Sequence, residues 1–432
     1  YDPTKINGLI RAILNIFKKS SYVGYTATPF ANIFIDPERN DTMAGQDLFP
    51  RDFIYCLEAP DNYLGPDRIF IDEQDAFLQE IDDAEGVLPR SHRSYFTPNE
   101  LPNSLHEALQ LFLLACAIRV HQGADSTHMS MLVNVSPYAA VQRKVSLLIQ
   151  EKIDFWRNII RASAFMPGQD ADFWTAMQVL FEQKYACCGV PWHEIRAALP
   201  DAVQPVKTLV INNKSPDRLN YSDHTGTGIR VVAVGGYTLS RGLTLENLII
   251  SYWNRNSKAY DTLMQMGRWF GYRDDYEALC KIWMPADAQG WYAHIAEASM
   301  ELRADLVEMS RRGMTPEDFG LKVRNHPETL IITARNKMRA GISMTVRPDL
   351  GGKLIETHVV WRDKNRLSSN LQALDRLVKN IRMDRNEEVL GGEKGSRLWR
   401  SITHEYVRDF FHEYSSHRSL LRACNENCVN LH

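Results

Sequence analysis

The sequence predicts an α/β protein built on a mostly parallel sheet. Short, continuous runs of apolar and β-branched residues stand at 131–135, 206–211, 228–234, 248–252 and 281–284. Segments of helical periodicity separate several of them. A strand buried on both faces reads as an unbroken apolar run, and such strands belong to parallel sheets clad in helices. The 432 residues leave room for roughly two to four domains. A chain that is 44% hydrophobic and 24% charged is not a disordered tail, a collagen-like repeat or a small disulfide scaffold.

The elements follow in order. Residues 4–19 predict an amphipathic helix with Ile6, Leu9, Ile10, Ile13 and Phe17 on one face. The chain opens on Tyr1 and enters this helix almost at once, as a piece cut from a longer protein would. Tyr22–Tyr25 is β-prone and runs into Thr26, Ala27, Thr28 and Pro29. Residues 36–100 hold sixteen Asp/Glu against five Arg/Lys, a local net of −11. They read as a loop-rich insertion or lobe, unsuited to a phosphate backbone. Residues 103–121 suit a mostly buried helix, 131–135 a strand, and 138–160 a helix striped by Val141, Val145, Leu148 and Ile153. A Trp- and Phe-rich helical insertion follows at 163–200. Beyond the next three strands come a helix at 259–270, a fifth strand and a helix at 289–312. Residues 328–362 carry mixed β-prone runs, so the C-terminal region reads as α+β. Residues 361–400 hold ten Lys/Arg against six Asp/Glu, a local net of +4. A helix near 371–385 would bury Leu371, Leu374, Val378 and Ile381 and turn Arg376, Lys379 and Arg382 to other faces, where they could neutralise phosphates.

Seven cysteines without regular spacing suit a reducing cytoplasm. The longest apolar run, Leu111 to Ile118, is far short of the roughly 20 residues that span a bilayer, so no membrane partner is expected. No charged-then-apolar leader opens the chain. A net charge of −3 gives no global case for nucleic acid, so any case is local.

Three segments fall in a telling order. Gly24-Tyr-Thr-Ala-Thr-Pro29 follows one β-prone run, and Gly235-Gly-Tyr-Thr-Leu-Ser-Arg-Gly-Leu-Thr244 follows another. Gln265-Met-Gly-Arg-Trp-Phe-Gly-Tyr-Arg273 comes about twenty residues later. Each alone has a plain reading: a strand exit, a tight turn, a solvated arginine. Together they resemble the later motifs of superfamily II helicases. The longer phrases, Ser21 to Asp36, Asp47 to Ile54, Leu239 to Thr244 and Gln265 to Arg273, resemble the Z1 domain family. That family carries an endonuclease label and accompanies superfamily II ATPase modules in bacterial restriction and phage-defence loci.

The resemblance implies a RecA-like (P-loop NTPase, superfamily II helicase-type) fold. Residues 1–35 would be the C-terminal remnant of a first lobe, 36–100 an acidic insertion, 101–287 the second lobe, and 288–432 an accessory α+β region. It implies ATP and Mg as cofactors, DNA as partner, and other restriction or defence proteins as further partners. Arg268 becomes the arginine finger, with Gln265 and Gly267 shaping a helix start; a fixed guanidinium suits the spread charge of a phosphoryl group in transfer. Arg273 is the second catalytic candidate, although Gly271 stands where the wider pattern places that arginine, so Arg273 could instead face nucleic acid or Asp274. Gly235, Gly236, Thr238, Ser240, Arg241 and Gly242 would line the nucleotide cleft, since glycines let backbone N–H groups approach phosphates. Thr26, Ala27 and Thr28 would couple nucleotide state to grip. Asn134 and Ser136 would touch a bound strand. Trp253, Arg255 and Lys258 could stack on it and grip it.

No Gly-x-x-x-x-Gly-Lys-Ser/Thr loop occurs, and the Gly-rich 391–396 run has the wrong spacing. The phosphate loop and the acidic magnesium motif are therefore expected upstream, and these residues alone should not hydrolyse ATP. Ile81-Asp-Asp-Ala-Glu85 reads as a solvated loop. A nuclease site would need carboxylates around Mg²⁺; Asp349, Glu356 and Lys364 are the nearest set, and the acid-x-Lys triplet is missing. Cys424, Cys428 and His432 lack the second pair a zinc site needs. No metal site is expected.

Overall fold

The computed structural model describes residues 5–26, 30–33, 35, 40–41, 45–163, 170–212, 219–236, 244–255, 260–273, 275–319, 363–383, 387–389, 397–399 and 402–415. The chain divides into two compact units, 1–342 and 343–432.

The first unit is an α/β fold around a six-stranded sheet. Its strands are β1 (Leu78–Glu80), β2 (Met129–Asn134), β3 (Lys207–Ile211), β4 (Arg230–Gly235), β5 (Leu248–Trp253) and β6 (Lys281–Met284). The spatial order is β1-β6-β5-β2-β4-β3, and every pairing is parallel. Five of these are the strands legible in the sequence. The sixth, β1, comes from the acidic segment, which thereby joins the main sheet. Its Ile69, Phe70 and Leu88 are fully buried in the central core.

Period-2 alternation divides the sheet's side chains between two faces. Met131, Val133, Val232, Val234 and Ile250 meet the large core. Leu132, Ala233, Ile211 and Leu248 form a small cluster with Leu245. A bulge sets the register of β5, for Leu248 lies opposite Ser130 and Ile250 opposite Met131, so Ile249 is the extra residue.

Helices α1 (Lys5–Ile16), α2 (Asn103–His121), α3 (Ala139–Ala162), α4 (Ala171–Tyr185), α5 (Trp192–Val203), α6 (Tyr260–Met266) and α7 (Ala286–Arg311) complete the unit. α2 is apolar on nearly every side and is buried from Leu111 to Arg119, as a helix hydrophobic all round must be. The expected insertion at 163–200 is α4 and most of α5. No helix among the described residues is long and apolar enough to cross a membrane.

Three expectations are corrected here. α1 forms, but it docks by its polar side. Arg11 is buried, and Asn7 donates to Asp47 at 3.0 Å, while Ile6, Leu9, Ile13 and Phe17 are exposed. The β-prone run 22–25 joins no sheet among the described residues and is exposed; a lone strand has no partner for its ladder. The Asp82-Asp83 stretch is not simply solvated either. The Asp83 carboxylate accepts from Ser104 N at 2.8 Å and from the Ser104 hydroxyl, satisfying the first turn of α2. The Ser104 hydroxyl also meets the Tyr252 hydroxyl at 2.9 Å.

The second unit holds α8 (Lys364–Met383), α9 (His404–Glu413) and a small antiparallel pair, Glu387–Val389 with Arg397–Trp399. The buried stripe of α8 is Asn370, Ala373 and Ile381, while Leu371 and Leu374 are exposed. The reason is polar anchoring: Asn370 exchanges two hydrogen bonds with the Ser415 backbone, at 2.9 and 2.8 Å. The β-prone residues 328–362 lie outside the described residues.

Replacing Asp83 with Ala removes the cap of α2. The expected loss is about 0.5–2 kcal/mol of stability, read as a lower urea midpoint at unchanged slope.

Candidate functional site

All six strands of a parallel sheet end on one edge, where open α/β sheets bind ligands. Asn134 ends β2 and Ser136 follows it, Gly236 follows β4, Asn254 and Arg255 follow β5, and Asn212 follows β3. Hydrogen bonds join them in two sets. Gln142 Nε2, from the first turn of α3, donates to Ser136 O at 2.9 Å. Asn212 Nδ2 donates to Gln142 Oε1 at 2.8 Å, and Arg255 Nη1 to Asn134 Oδ1 at 3.3 Å. Gly236 sits among them. A Cβ there would lie 2.8 Å from Gln142 Nε2 and 3.0 Å from Ser136 O, so only glycine fits without displacing the network.

Asn134, Ser136, Trp253 and Arg255 are all buried, at 5% exposure or less. Their expected contact with nucleic acid does not fit that burial. The cause is the acidic segment, which crosses the strand ends. Asn254 Nδ2 donates to Leu88 O at 3.0 Å, and His92 Nε2 meets Ser136 Oγ at 2.8 Å. Trp253 is spent on an edge-to-face contact with Tyr292 at 5.9 Å.

A second neighbourhood is an open cleft of about 1580 Å³. Thr26, Thr244, Leu245, Gly267 and Arg268 line it, so it gathers residues from all three motif segments. Five arginines line it, Arg11, Arg51, Arg268, Arg273 and Arg303, against Asp47 and Asp52. The cleft therefore favours an anion. Arg51 is bonded to Glu317 at 3.3 Å.

The turn that carries Arg268 differs from the sequence expectation. The helix expected over 259–270 ends at Met266, so Gln265 lies in its last turn and Arg268 lies beyond it. The helix stops because the chain folds back. A Cβ on Gly267 would lie 2.5 Å from the Phe270 ring. Gly271, at φ +135°, then adopts a backbone that favours glycine and pairs antiparallel with Leu64.

Arg273 pins this turn. Its Nη1 donates to Tyr272 O at 2.7 Å, and its Nη2 faces the carbonyls of Arg268, Trp269 and Phe270 at 3.3–3.4 Å. It is 9% exposed and packs over the Tyr276 ring. These contacts tie the Arg273 guanidinium to the turn that carries Arg268, and it lines the same cleft. Arg268 itself is half-buried, and desolvation lowers its pKa below the ordinary arginine value. An anion beside it would favour its charged form.

Tyr292 of α7 joins the two neighbourhoods. Its hydroxyl donates to Leu263 O of α6 at 2.7 Å. Its ring meets Trp253 at 5.9 Å, Trp269 at 5.3 Å and Phe70 at 4.8 Å.

With this geometry in place, the sequence comparison is decisive at one level. The family model of the Z1 domain matches residues 104–330. The chain belongs to the Z1 domain family. Comparison with curated proteins and with solved structures finds no match. The Z1 match spans Gly236, Arg268 and Arg273; Thr26 and the acidic segment lie outside it.

Ala27, Thr28, Thr238, Ser240, Arg241, Gly242 and Lys258 lie outside the described residues, as do Asp349, Glu356, Cys424, Cys428 and His432. Gly235 ends β4 and is buried. In the second unit Arg376 is engaged by Glu413 at 2.7 Å, while Lys379 and Arg382 are exposed. Among the described residues no group of three His, Cys, Asp or Glu side chains could hold a metal. Sequence reading missed Gln142, His92, Arg51 and Arg303, which only the folded chain brings to these places.

Two substitutions test the geometry. Gly236→Ala overpacks the strand-end network and is expected to cost about 1–3 kcal/mol in urea denaturation. Arg273→Lys cannot span the same carbonyls, so the 268–272 turn loses its anchor. The expected loss is about 1–3 kcal/mol, together with faster proteolysis at Arg268.

Proposed function

We propose that this chain is the second RecA-like lobe, with the tail of the first, of an ATP-driven DNA translocase of the superfamily II helicase type in a bacterial restriction or phage-defence system. The observation that carries the reading is the cleft. Thr26, Thr244 and Arg268, one from each of three segments far apart in sequence, line one arginine-rich space. A polyphosphate fits that charge, and in this reading Arg268, on its pinned turn, is the arginine finger. An arginine there would stabilise charge on a phosphoryl group in transfer.

The all-parallel sheet supports a RecA-like lobe. The outward apolar stripe of α1 and the exposed run 22–25 support the tail of the first lobe, since a helix and the strand after it are covered when that lobe's sheet is present. The sequence has no phosphate loop, so in this reading the loop and the Mg-binding acid come from the ATPase module that precedes these residues.

The test is ATP turnover by the full-length protein, with and without DNA, beside its Arg268→Ala variant. The expected result is DNA-stimulated turnover that falls by about 10³-fold or more in the variant. Turnover untouched by Arg268→Ala would remove the finger. Nucleotide binding without any turnover would remove the motor and leave a nucleotide-gated scaffold.

A further inference from the structure

Residues 88–97 roof the carboxyl edge of the sheet, and their outer surface has no role in the reading above. The roof is firmly tied. Leu88 is fully buried, its carbonyl accepts from Asn254, and Arg90 is held by both carboxylate oxygens of Asp287 at 2.8 Å. His92 Nδ1 faces Pro89 O at 2.6 Å. A carbonyl only accepts, so Nδ1 carries the proton and Nε2 accepts from the Ser136 hydroxyl.

On this support stands a row of rings. Phe96 lies 5.2 Å from His92, and His92 lies 5.9 Å from Tyr138. Tyr138 is 37% exposed and Tyr95 is 80% exposed. Tyr95 sits at the tip of a turn closed by Phe96 N–H on Arg93 O at 3.0 Å. Although the acidic segment as a whole is unsuited to phosphate, residues 88–97 carry no carboxylate, and Arg93 is exposed with no ion pair among the described residues. Tyr138 also precedes the first turn of α3, whose dipole adds positive potential.

The composition of this surface selects its partner. An apolar protein surface would call for aliphatic side chains, whereas residues 91–96 hold the rings of His92, Tyr95 and Phe96 together with two serines and Arg93. Rings held on a rigid scaffold stack with bases at little cost in entropy, and a cation beside them takes a phosphate. A duplex keeps its base faces inside. We infer that the 88–97 roof, with Tyr138, binds single-stranded nucleic acid, stacking bases on Tyr95 and Tyr138 and holding a phosphate on Arg93. This rests on the DNA-binding part of the proposed function and not on nucleotide hydrolysis.

The experiment is fluorescence anisotropy of a labelled oligothymidylate of about 20 nucleotides on the full-length protein, with unlabelled duplex as competitor. Tyr95→Ala should weaken single-strand binding by about 5- to 150-fold, the range for loss of one base stack, with an unchanged melting temperature because the ring is exposed. Tyr95→Phe should bind as the parent does. Arg93→Gln should reduce the slope of log affinity against log salt by about 0.7. Parent-like binding by Tyr95→Ala, or duplex competing as well as single strand, would overturn the roof as the site and leave DNA binding in place. A parent protein that binds neither form would overturn both the roof and the DNA partner.

Discussion

Tyr292 is the contact on which the arrangement of this fold depends. It is fully buried, and burial pushes its phenol pKa well above the ordinary tyrosine value, so the hydroxyl stays a donor and holds Leu263 O. A single side chain from α7 thus touches the end of β5 through Trp253, the Arg268 turn through Trp269, the acidic segment through Phe70, and α6 by hydrogen bond. Aromatic pairs in such geometry each add about 0.5–1.5 kcal/mol beyond the area they bury. The larger consequence is geometric: the end of β5, the cleft turn and the Phe70 part of the acidic segment cannot shift independently without opening that cluster.

This interlock shows why some elements were legible in the sequence and others were not. Strands β2, β4, β5 and β6 are buried along their whole length and so announce themselves as apolar runs, while β3, exposed at Lys207 on the sheet edge, is legible by Leu209, Val210 and Ile211. α2 matches residues 103–121 because it is apolar on nearly every side. β1 gave no such signal. Leu78-Gln-Glu80 is three residues with one apolar side chain, and it is a strand only because β6 offers it an edge. The stripe of α1 was read correctly as a pattern but not as a direction, since periodicity locates an apolar face without saying what covers it. In α8 one asparagine, bonded twice to Ser415, outweighs the leucine pattern.

The candidate site divides in the same way. The resemblance marked the strand-end positions Asn134, Ser136 and Gly236, the aromatic-and-basic run after β5 marked Arg255, and the fold does bring them together. It could not show that residues 88–97 cover them, because that contact joins segments about forty residues or more apart through His92 and Asn254. The helix expected to carry Arg268 at its start failed for a local reason. Gly267 and Gly271 permit a reversal that a helix does not, and the arginine at 273 is spaced to bond the carbonyls the reversal exposes.

That spacing explains a departure from the wider helicase pattern. An arginine three residues after Arg268 would lie within the turn, at Gly271, where φ is +135° and a Cβ would sit 3.1 Å from Arg273 Nη1. Moved two residues on, the guanidinium bonds the carbonyls of the turn while still lining the cleft with Arg268. Arg273 Nη1 holds Tyr272 O at 2.7 Å, its Nη2 faces three further carbonyls, and its Nε has no hydrogen-bond partner among the described residues.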